Sequence, residues 1–387
     1  MATGTYGIVC KDYEALIGLY GKYPLYSIPR TYYNVAHRGL SRRENENTID
    51  AIAAAYECGA THVEIDVQMT KDGELAIMHD ASVERTTDGT GKISELTKNE
   101  LSAMSVIKNI DGKITGKKSK IPFLDDVLEY CKGKELIVVI EIKDTNPLTC
   151  ALVASKIKKQ KAEKQTIVIS FYDGNDGALN KMHDIFPEIP LATLATVNAD
   201  NFDGYIAKAA EFNMAFDCSS QSSYANFANS NLKDRGYPVW QWTYDDASCA
   251  AIGVSGITNN VADEFKDHIK FIPEPTIELE WNEELQNAEF TIDAVTFGGE
   301  TKKVKAIPLV TEATEGGFDA VLTVTDEASA KGLQRMVKAK IVVSSNSSSG
   351  GASQKGCKAS PGSNYRILAA AFVAIIILKI NVKKEKI

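Results

Sequence analysis

His62-Val63-Glu64-Ile65-Asp66-Val67-Gln68-Met69-Thr70-Lys71-Asp72-Gly73-Glu74-Leu75-Ala76-Ile77-Met78-His79-Asp80 is the stretch from which the fold is read. Its first part is an apolar strand-like run interrupted by two carboxylates, Glu64 and Asp66. Residues two apart on a strand share a face, so both acids point the same way. An acid inside an apolar run needs a partner or an ion to be tolerated there. Asp72-Gly73 between two apolar runs is a hairpin signal, and the loop is far too short for a parallel crossover. Residues 75–79 are therefore expected to fold back on the first strand, carrying His79 on an insertion over its end.

Working outward, strand-like runs alternate with helical patterns from about residue 34 to 264, the signature of βα units on a parallel sheet. Eight core strands are expected at 34–37, 62–67, 136–143, 166–171, 191–196, 215–219, 238–244 and 256–259. Helices are expected at 49–58, 124–131, 150–161, 178–185, 202–212 and 224–235, several bounded by cap residues or glycine. Eight strands with intervening helices imply an α/β protein with a (β/α)8 TIM barrel over residues 31–270, bearing a β-hairpin insertion after strand 2. Active sites in such barrels form at the C-terminal ends of the strands. His37, Glu64, Asp66 and Glu141 all lie at or near such ends.

The pattern changes near residue 271. Runs at 276–281, 289–297, 303–310, 319–324 and 336–343 alternate apolar and polar residues between Gly-Gly turn signals. They predict a small antiparallel β-sandwich-like accessory domain over 271–343. Residues 344–364 read as a Ser/Gly linker. Residues 365–387 hold an apolar run, 367–378, followed by Lys379, Lys383, Lys384 and Lys386. From 365 to 382 a helix would span about 27 Å, near the thickness of a bilayer core if Lys379 snorkels. A C-terminal single-pass membrane anchor with its basic tail inside and the barrel outside is expected.

No basic-then-apolar leader is visible at the start of the sequence, which sits uneasily with an outside barrel. Residues 4–13 also echo 253–262 in the pattern Gly-x-x-Gly-Ile. The segment 1–30 is accordingly read as the tail of a preceding barrel in a chain that is itself a fragment. A net charge of −8 argues against a general nucleic-acid binder. The 7 cysteines are scattered, without metal spacing or a disulfide framework. His62, His183 and His268 fall in no motif and are read as bystanders.

His37-Arg38-Gly39, Glu46-Asn47-Thr48, Glu64-Ile65-Asp66, Asp72-Gly73, His79-Asp80, Arg85-Thr86-Thr87, Gly89-Thr90-Gly91, Glu141-Ile142-Lys143, Ser170-Phe171, Trp242-Thr243 and Gly256-Ile257-Thr258 occur in that order. In this they resemble the glycerophosphodiester phosphodiesterase family across roughly residues 33–265. The resemblance implies hydrolysis of a small or polymeric glycerophosphodiester to glycerol 3-phosphate and an alcohol. It assigns Glu64, Asp66 and Glu141 to one divalent metal, and three hard oxygen donors suit Mg²⁺ or Ca²⁺. Arg38 and Lys143 would grip phosphate. His37 and His79 would be the acid–base pair, since histidine titrates near neutrality. Glu46 is read as orienting His37 or the metal shell, or else as a helix cap; Trp242 is read as packing on substrate or filling the core. Arg42 and Arg43 are extra positive charges near the mouth. Asn45 and Asn259-Asn260 depart from the family's usual proline and Thr-Asp ending. Two other functions compete: a related phospholipase C or D type enzyme acting on intact lipid, and a non-catalytic surface-binding module.

Overall fold

A computed structural model of the chain describes residues 33–344, except 145, 172–176, 213, 222, 225–238, 247–255, 272–275, 281–289, 315–316 and 327–332. The expected N-terminal segment 1–30, most of the helix at 224–235, the linker and the anchor at 365–387 lie outside the described residues. No helix among the described residues is long and apolar enough to cross a membrane.

In chain order the first unit consists of β1 (Tyr33–His37), α1 (Ile49–Glu57), β2 (His62–Met69), β3 (Leu75–Ile77), α2 (Lys98–Ser102), β4 (Ser105–Lys108), β5 (Ile114–Lys120), α3 (Leu124–Cys131), β6 (Ile137–Ile142), α4 (Pro147–Gln160), β7 (Thr166–Phe171), α5 (Ala178–Ile185), β8 (Leu191–Ala195), α6 (Phe202–Phe212), β9 (Ala215–Ser219), β10 (Val239–Tyr244) and β11 (Gly256–Asn259). β1, β2, β6, β7, β8, β9, β10 and β11 pair in parallel in that sequence, and β11 returns to β1. The barrel is thus closed by eight strands, each within about two residues of its expected limits.

Both faces of these strands are covered, which is why they read as near-continuous apolar runs. One set of side chains, including Val63, Ile65, Val67, Val138 and Ile140, packs outward against the helices. The other, including Val35, Val139, Ile167, Ile169 and Trp240, fills the barrel interior. Glu64, Asp66 and Glu141 belong by parity to the inward set. Register then decides their neighbours: His37 pairs with Glu64 on β1–β2, and Asp66 with Glu141 on β2–β6.

β3 runs antiparallel to β2, with Val67 opposite Ile77 and Met69 opposite Leu75. Gly73 turns the connection at φ +80°. The segment that follows has its own small core of Ala76, Met78, Val83, Ile93, Leu101, Val106, Ile121 and Phe123. A capping box between Thr97 and Glu100 starts α2 within it.

The second β-rich region contains β12 (Ile269–Phe271), β13 (Thr276–Glu280), β14 (Phe290–Thr296), β15 (Thr301–Thr314), β16 (Gly317–Asp326) and β17 (Leu333–Ser344). Among the described residues these form one continuous ladder, β12-β14-β15-β16-β17-β13, and not the two sheets of a sandwich. β13 also pairs with β17 in parallel, where an all-antiparallel arrangement was expected. Alternation marks a half-buried strand but does not encode how strands are shared between sheets. This region touches the barrel through Phe297, which packs edge-on to Phe265 at 6.1 Å and donates its amide to the His268 carbonyl. The described cysteines Cys58, Cys131, Cys150 and Cys218 are free.

Candidate active site

At the end of β1 the chain turns sharply. Arg38 (φ 55°) and Gly39 (φ 80°) are both left-handed. A Cβ on Gly39 would lie 2.6 Å from Ala51, so only glycine fits. The turn aims the Arg38 amide at Glu64 Oε2, 3.0 Å away. It also brings the loop 40–48 across the mouth. Thr48, not Glu46, caps α1 by accepting from the Ala51 amide. Asn47, at φ 58°, donates its side-chain amide to Asp66 Oδ2 at 2.8 Å.

Glu64, Asp66 and Glu141 each offer a carboxylate oxygen within 4.8 Å of the others. Such crowding is costly without compensation. Burial, then Asp66 and Glu141, hold the Glu64 carboxyl well above the usual range. Burial and then Asp66 push Glu141 up to about 7. Asp66 is also buried, but Arg38 and then Lys143 outweigh the burial and keep its carboxyl low. Two oxygens, Glu64 Oε1 and Asp66 Oδ1, are buried and accept no hydrogen bond. A hard-donor cluster with orphaned oxygens and protons held near neutrality fits a divalent cation.

Two cations lie against this cluster. Lys143 Nζ donates to Glu141 Oε1 at 2.7 Å and sits 3.4 Å from Asp66 Oδ1. Arg38 Nε lies 3.3 Å from Asp66 Oδ2, and its Nη1 donates to Glu46 Oε1 at 2.9 Å. Glu46 also receives both terminal nitrogens of Arg85, at 2.7 and 2.8 Å. Arg85 in turn holds Asp80, which pairs with His79 Nδ1 at 2.7 Å. Burial opposes ionisation of Asp80, but Arg85 and then His79 together outweigh it and draw its carboxyl down to about 2. A continuous charged chain therefore runs from His79 through Asp80, Arg85, Glu46 and Arg38 to the carboxylates. The segment bearing His79 is further pinned by Gln68, whose side-chain amide reaches the carbonyls of Met78, His79 and Asp80.

His37 lies 3.9 Å from Glu64 Oε2 through Nε2, and its Nδ1 is 2.8 Å from Asn260 Oδ1. Burial, then Arg38, lower its pKa to about 4, so the ring is neutral near pH 7. The expected site residues are thus brought to one end of the barrel, with some roles revised. Glu46 neither caps a helix nor touches His37 in a hydrogen bond; it clamps two arginines. Trp242 is half-buried, donates to the Asp217 carbonyl at 3.0 Å and meets Phe171 edge-on at 5.9 Å. Phe171 is 43 % exposed at the end of β7. Arg42 and Arg43 are engaged by Asp245 and Asp263 respectively, so neither is a loose charge at the mouth. His62 is buried against Tyr33 and His183 stacks on Phe212, away from this chemistry.

Arg85, Asp80 and Asn260 were not singled out as functional from sequence. Asp80 and Arg85 stand in motifs quoted above, which was a usable signal. Asn260 stands in the Asn259-Asn260 pair that departs from the family's usual ending, but nothing in the sequence ties it to His37, 223 residues away.

The sequence profile of the glycerophosphoryl diester phosphodiesterase family matches residues 37–267. The chain belongs to this family. A glycerophosphodiester phosphodiesterase of Caldanaerobacter subterraneus subsp. tengcongensis is 35% identical over 163 residues, 41% of this chain and 65% of the relative. Glycerophosphodiester phosphodiesterase 1 of Homo sapiens is 34% identical over 138 residues, 35% of this chain and 42% of the relative. The chain therefore spans less than two thirds of these relatives. A putative glycerophosphodiester phosphodiesterase of Bacillus subtilis matches more extensively, at 27% identity over 60% of this chain and 95% of the relative. In fold, the barrel is similar to an Oleispira antarctica phosphodiesterase solved with sn-glycerol-3-phosphate, with a TM-score of 0.53 at 24% identity, covering 59% of this chain and 93% of that one. The family match runs from the last residue of β1 through the rest of the barrel of this phosphodiesterase-family chain and ends near the start of the second β-rich region.

Proposed function

We propose that the barrel hydrolyses glycerophosphodiesters to glycerol 3-phosphate and an alcohol. The observation that carries this reading is the three-carboxylate cluster flanked by Arg38, Lys143, His37 and His79 at one barrel end. Relatives named as glycerophosphodiester phosphodiesterases support the substrate class. Glu64, Asp66 and Glu141 would hold one Mg²⁺ or Ca²⁺. When bound, such an ion polarises a phosphoryl oxygen and offsets developing negative charge.

The remaining work falls to side chains. Arg38 is held in place by Glu46 and Asp66 and presents positive charge to the phosphate. Lys143, beside Asp66 and Glu141, would present its positive charge to another phosphate oxygen. Neutral His37 accepts the proton of the substrate's neighbouring glycerol hydroxyl through Nε2 as that oxygen attacks phosphorus. His79, with Nδ1 against Asp80, donates a proton to the departing alcohol oxygen. The cyclic phosphate is then opened by water with the two histidines reversing roles. Trp242 and Phe171 form an aromatic wall suited to the glycerol or the leaving group.

By its sequence pattern, the stretch 365–382 would anchor the protein in the cell membrane with the barrel outside, and 271–343 would act as an accessory domain between them. Protease treatment of intact cells tests this placement: barrel cleavage without lysis supports it, and protection refutes it. The catalytic reading is tested with glycerophosphocholine, glycerophosphoethanolamine, glycerophosphoglycerol and a poly(glycerophosphate), each with EDTA, Mg²⁺ or Ca²⁺. Cation-dependent release of glycerol 3-phosphate is expected. Turnover of intact phospholipid alone, with release of diacylglycerol or ceramide, would replace this reading with that of a lipase.

A further inference from the structure

The amide of Asn260 sits between two groups that together determine its orientation. Its Nδ2 is 2.7 Å from Asp245 Oδ1. A carboxylate oxygen only accepts, so the Asn260 atom facing it is the nitrogen. The opposite atom, Oδ1, therefore faces His37 Nδ1 at 2.8 Å, and it also lies 3.3 Å from the Ser41 hydroxyl. An amide oxygen only accepts, so His37 Nδ1 must carry the hydrogen.

Asp245 is itself held. Arg42 Nη2 donates to the same Oδ1 at 2.6 Å, and Arg42 Nη1 donates to the Asp245 carbonyl at 3.1 Å. The backbone agrees, since the Asn260 amide bonds the Tyr244 carbonyl at 3.0 Å and ties the ends of β10 and β11 together. We infer that Asn260, oriented by Asp245 and Arg42, is a positioning residue that fixes His37 in the Nδ1–H tautomer and leaves Nε2 as its proton-accepting atom. This deepens the proposed acid–base reading, on which its catalytic consequence rests. It gives Arg42 and Asp245 a role at a distance from the substrate: a carboxylate that accepts but cannot donate prevents the amide from reversing. A reversed amide would offer N–H to His37 and favour the opposite, Nε2–H tautomer, with the wrong nitrogen bare.

The test is long-range ¹H–¹⁵N correlation NMR on ¹⁵N-histidine-labelled protein near pH 8, above the ordinary histidine pKa of about 6.5, with His37 assigned by its loss in His37→Gln. The wild type should show a protonated Nδ1 and a bare Nε2. Asp245→Leu, at a side chain 61% exposed, removes the acceptor that holds Asn260 Nδ2 and should introduce the Nε2–H form. Asn260→Leu should mix the tautomers, while Asn260→Asp, which keeps an acceptor, should retain Nδ1–H. In kinetics, kcat should fall on the order of a hundredfold in Asn260→Leu, with partial recovery in Asn260→Asp and little change in KM. A wild-type His37 carrying Nε2–H would overturn the inference, as would tautomers unmoved in both Asp245→Leu and Asn260→Leu. If the wild type turns over none of the phosphodiesters, the functional proposal fails, but the NMR readout still decides the tautomer.

Discussion

Glu46→Gln tests the charged chain at its centre. Glu46 is buried and accepts three charge-assisted hydrogen bonds, one from Arg38 and two from Arg85. Glutamine has nearly the same shape, but only one oxygen. Its carbonyl can take the place of Oε1, which serves Arg38 and one Arg85 nitrogen. Its NH2 then faces the other Arg85 nitrogen, donor against donor. Charge-assisted bonds contribute about 1.5–3 kcal/mol each, and breaking a buried pair costs about 3–5 kcal/mol when nothing else answers the charge. Here Arg38 keeps Asp66 and Arg85 keeps Asp80, so a loss of about 3 kcal/mol is expected. For a domain of this size about 2–4 °C accompanies each kcal/mol, giving a fall in Tm of about 6–12 °C. Scanning calorimetry measures it directly. Arg85→Gln is the control: its side chain is 35% exposed, so solvent screening should make its loss smaller. A Tm for Glu46→Gln within about 2 °C of wild type, a change expected of less than 1 kcal/mol, would refute the clamp.

The pH dependence of cation binding follows from the raised carboxyls. In the cation-free fold Glu141 binds its proton more tightly than in the unfolded chain, with a pKa of about 7 against an ordinary 4.5. Its contribution therefore favours the fold below about 4.5 and is lost as pH rises through 7. A divalent cation replaces that proton, so the rise in Tm on adding Mg²⁺ or Ca²⁺ should be small at about pH 5 and larger at about pH 8. Equal shifts would contradict a carboxylate site holding protons. Gly39→Ala should yield little folded protein, because φ +80° and a 2.6 Å approach to Ala51 leave no room for Cβ; a soluble variant with wild-type Tm would disprove the tight turn.

How far the sequence carried the reading differs between parts of the molecule. The eight barrel strands were legible because burial on both faces leaves long apolar runs such as 136–142, and because helices with recognisable caps separate them. Glu64, Asp66 and Glu141 were legible for the opposite reason: a charge inside such a run has no ordinary structural use. The clamp through Arg85 and the contact of Asn260 with His37 were not, since they join residues 39 and 223 positions apart. The return of β11 to β1 brings Asn260 to His37, and the insertion after β3 brings Arg85 to Glu46. The β-rich region was legible as strands and not as an arrangement. The parallel pairing of β13 with β17 leaves no mark on the alternation within either strand.

In the proposed reaction His37 and His79 move protons as a glycerophosphodiester is cleaved at this site. The direct measurement is ³¹P NMR of glycerophosphodiesters incubated with purified wild-type protein, His37→Ala and His79→Ala, with Mg²⁺ or Ca²⁺ present. The wild type should convert a diester signal to glycerol 3-phosphate, and each variant should leave it nearly intact while retaining the wild-type circular dichroism. Conversion at a comparable rate by either folded variant, or none by the wild type on any of the diesters, would contradict proton transfer by this histidine pair.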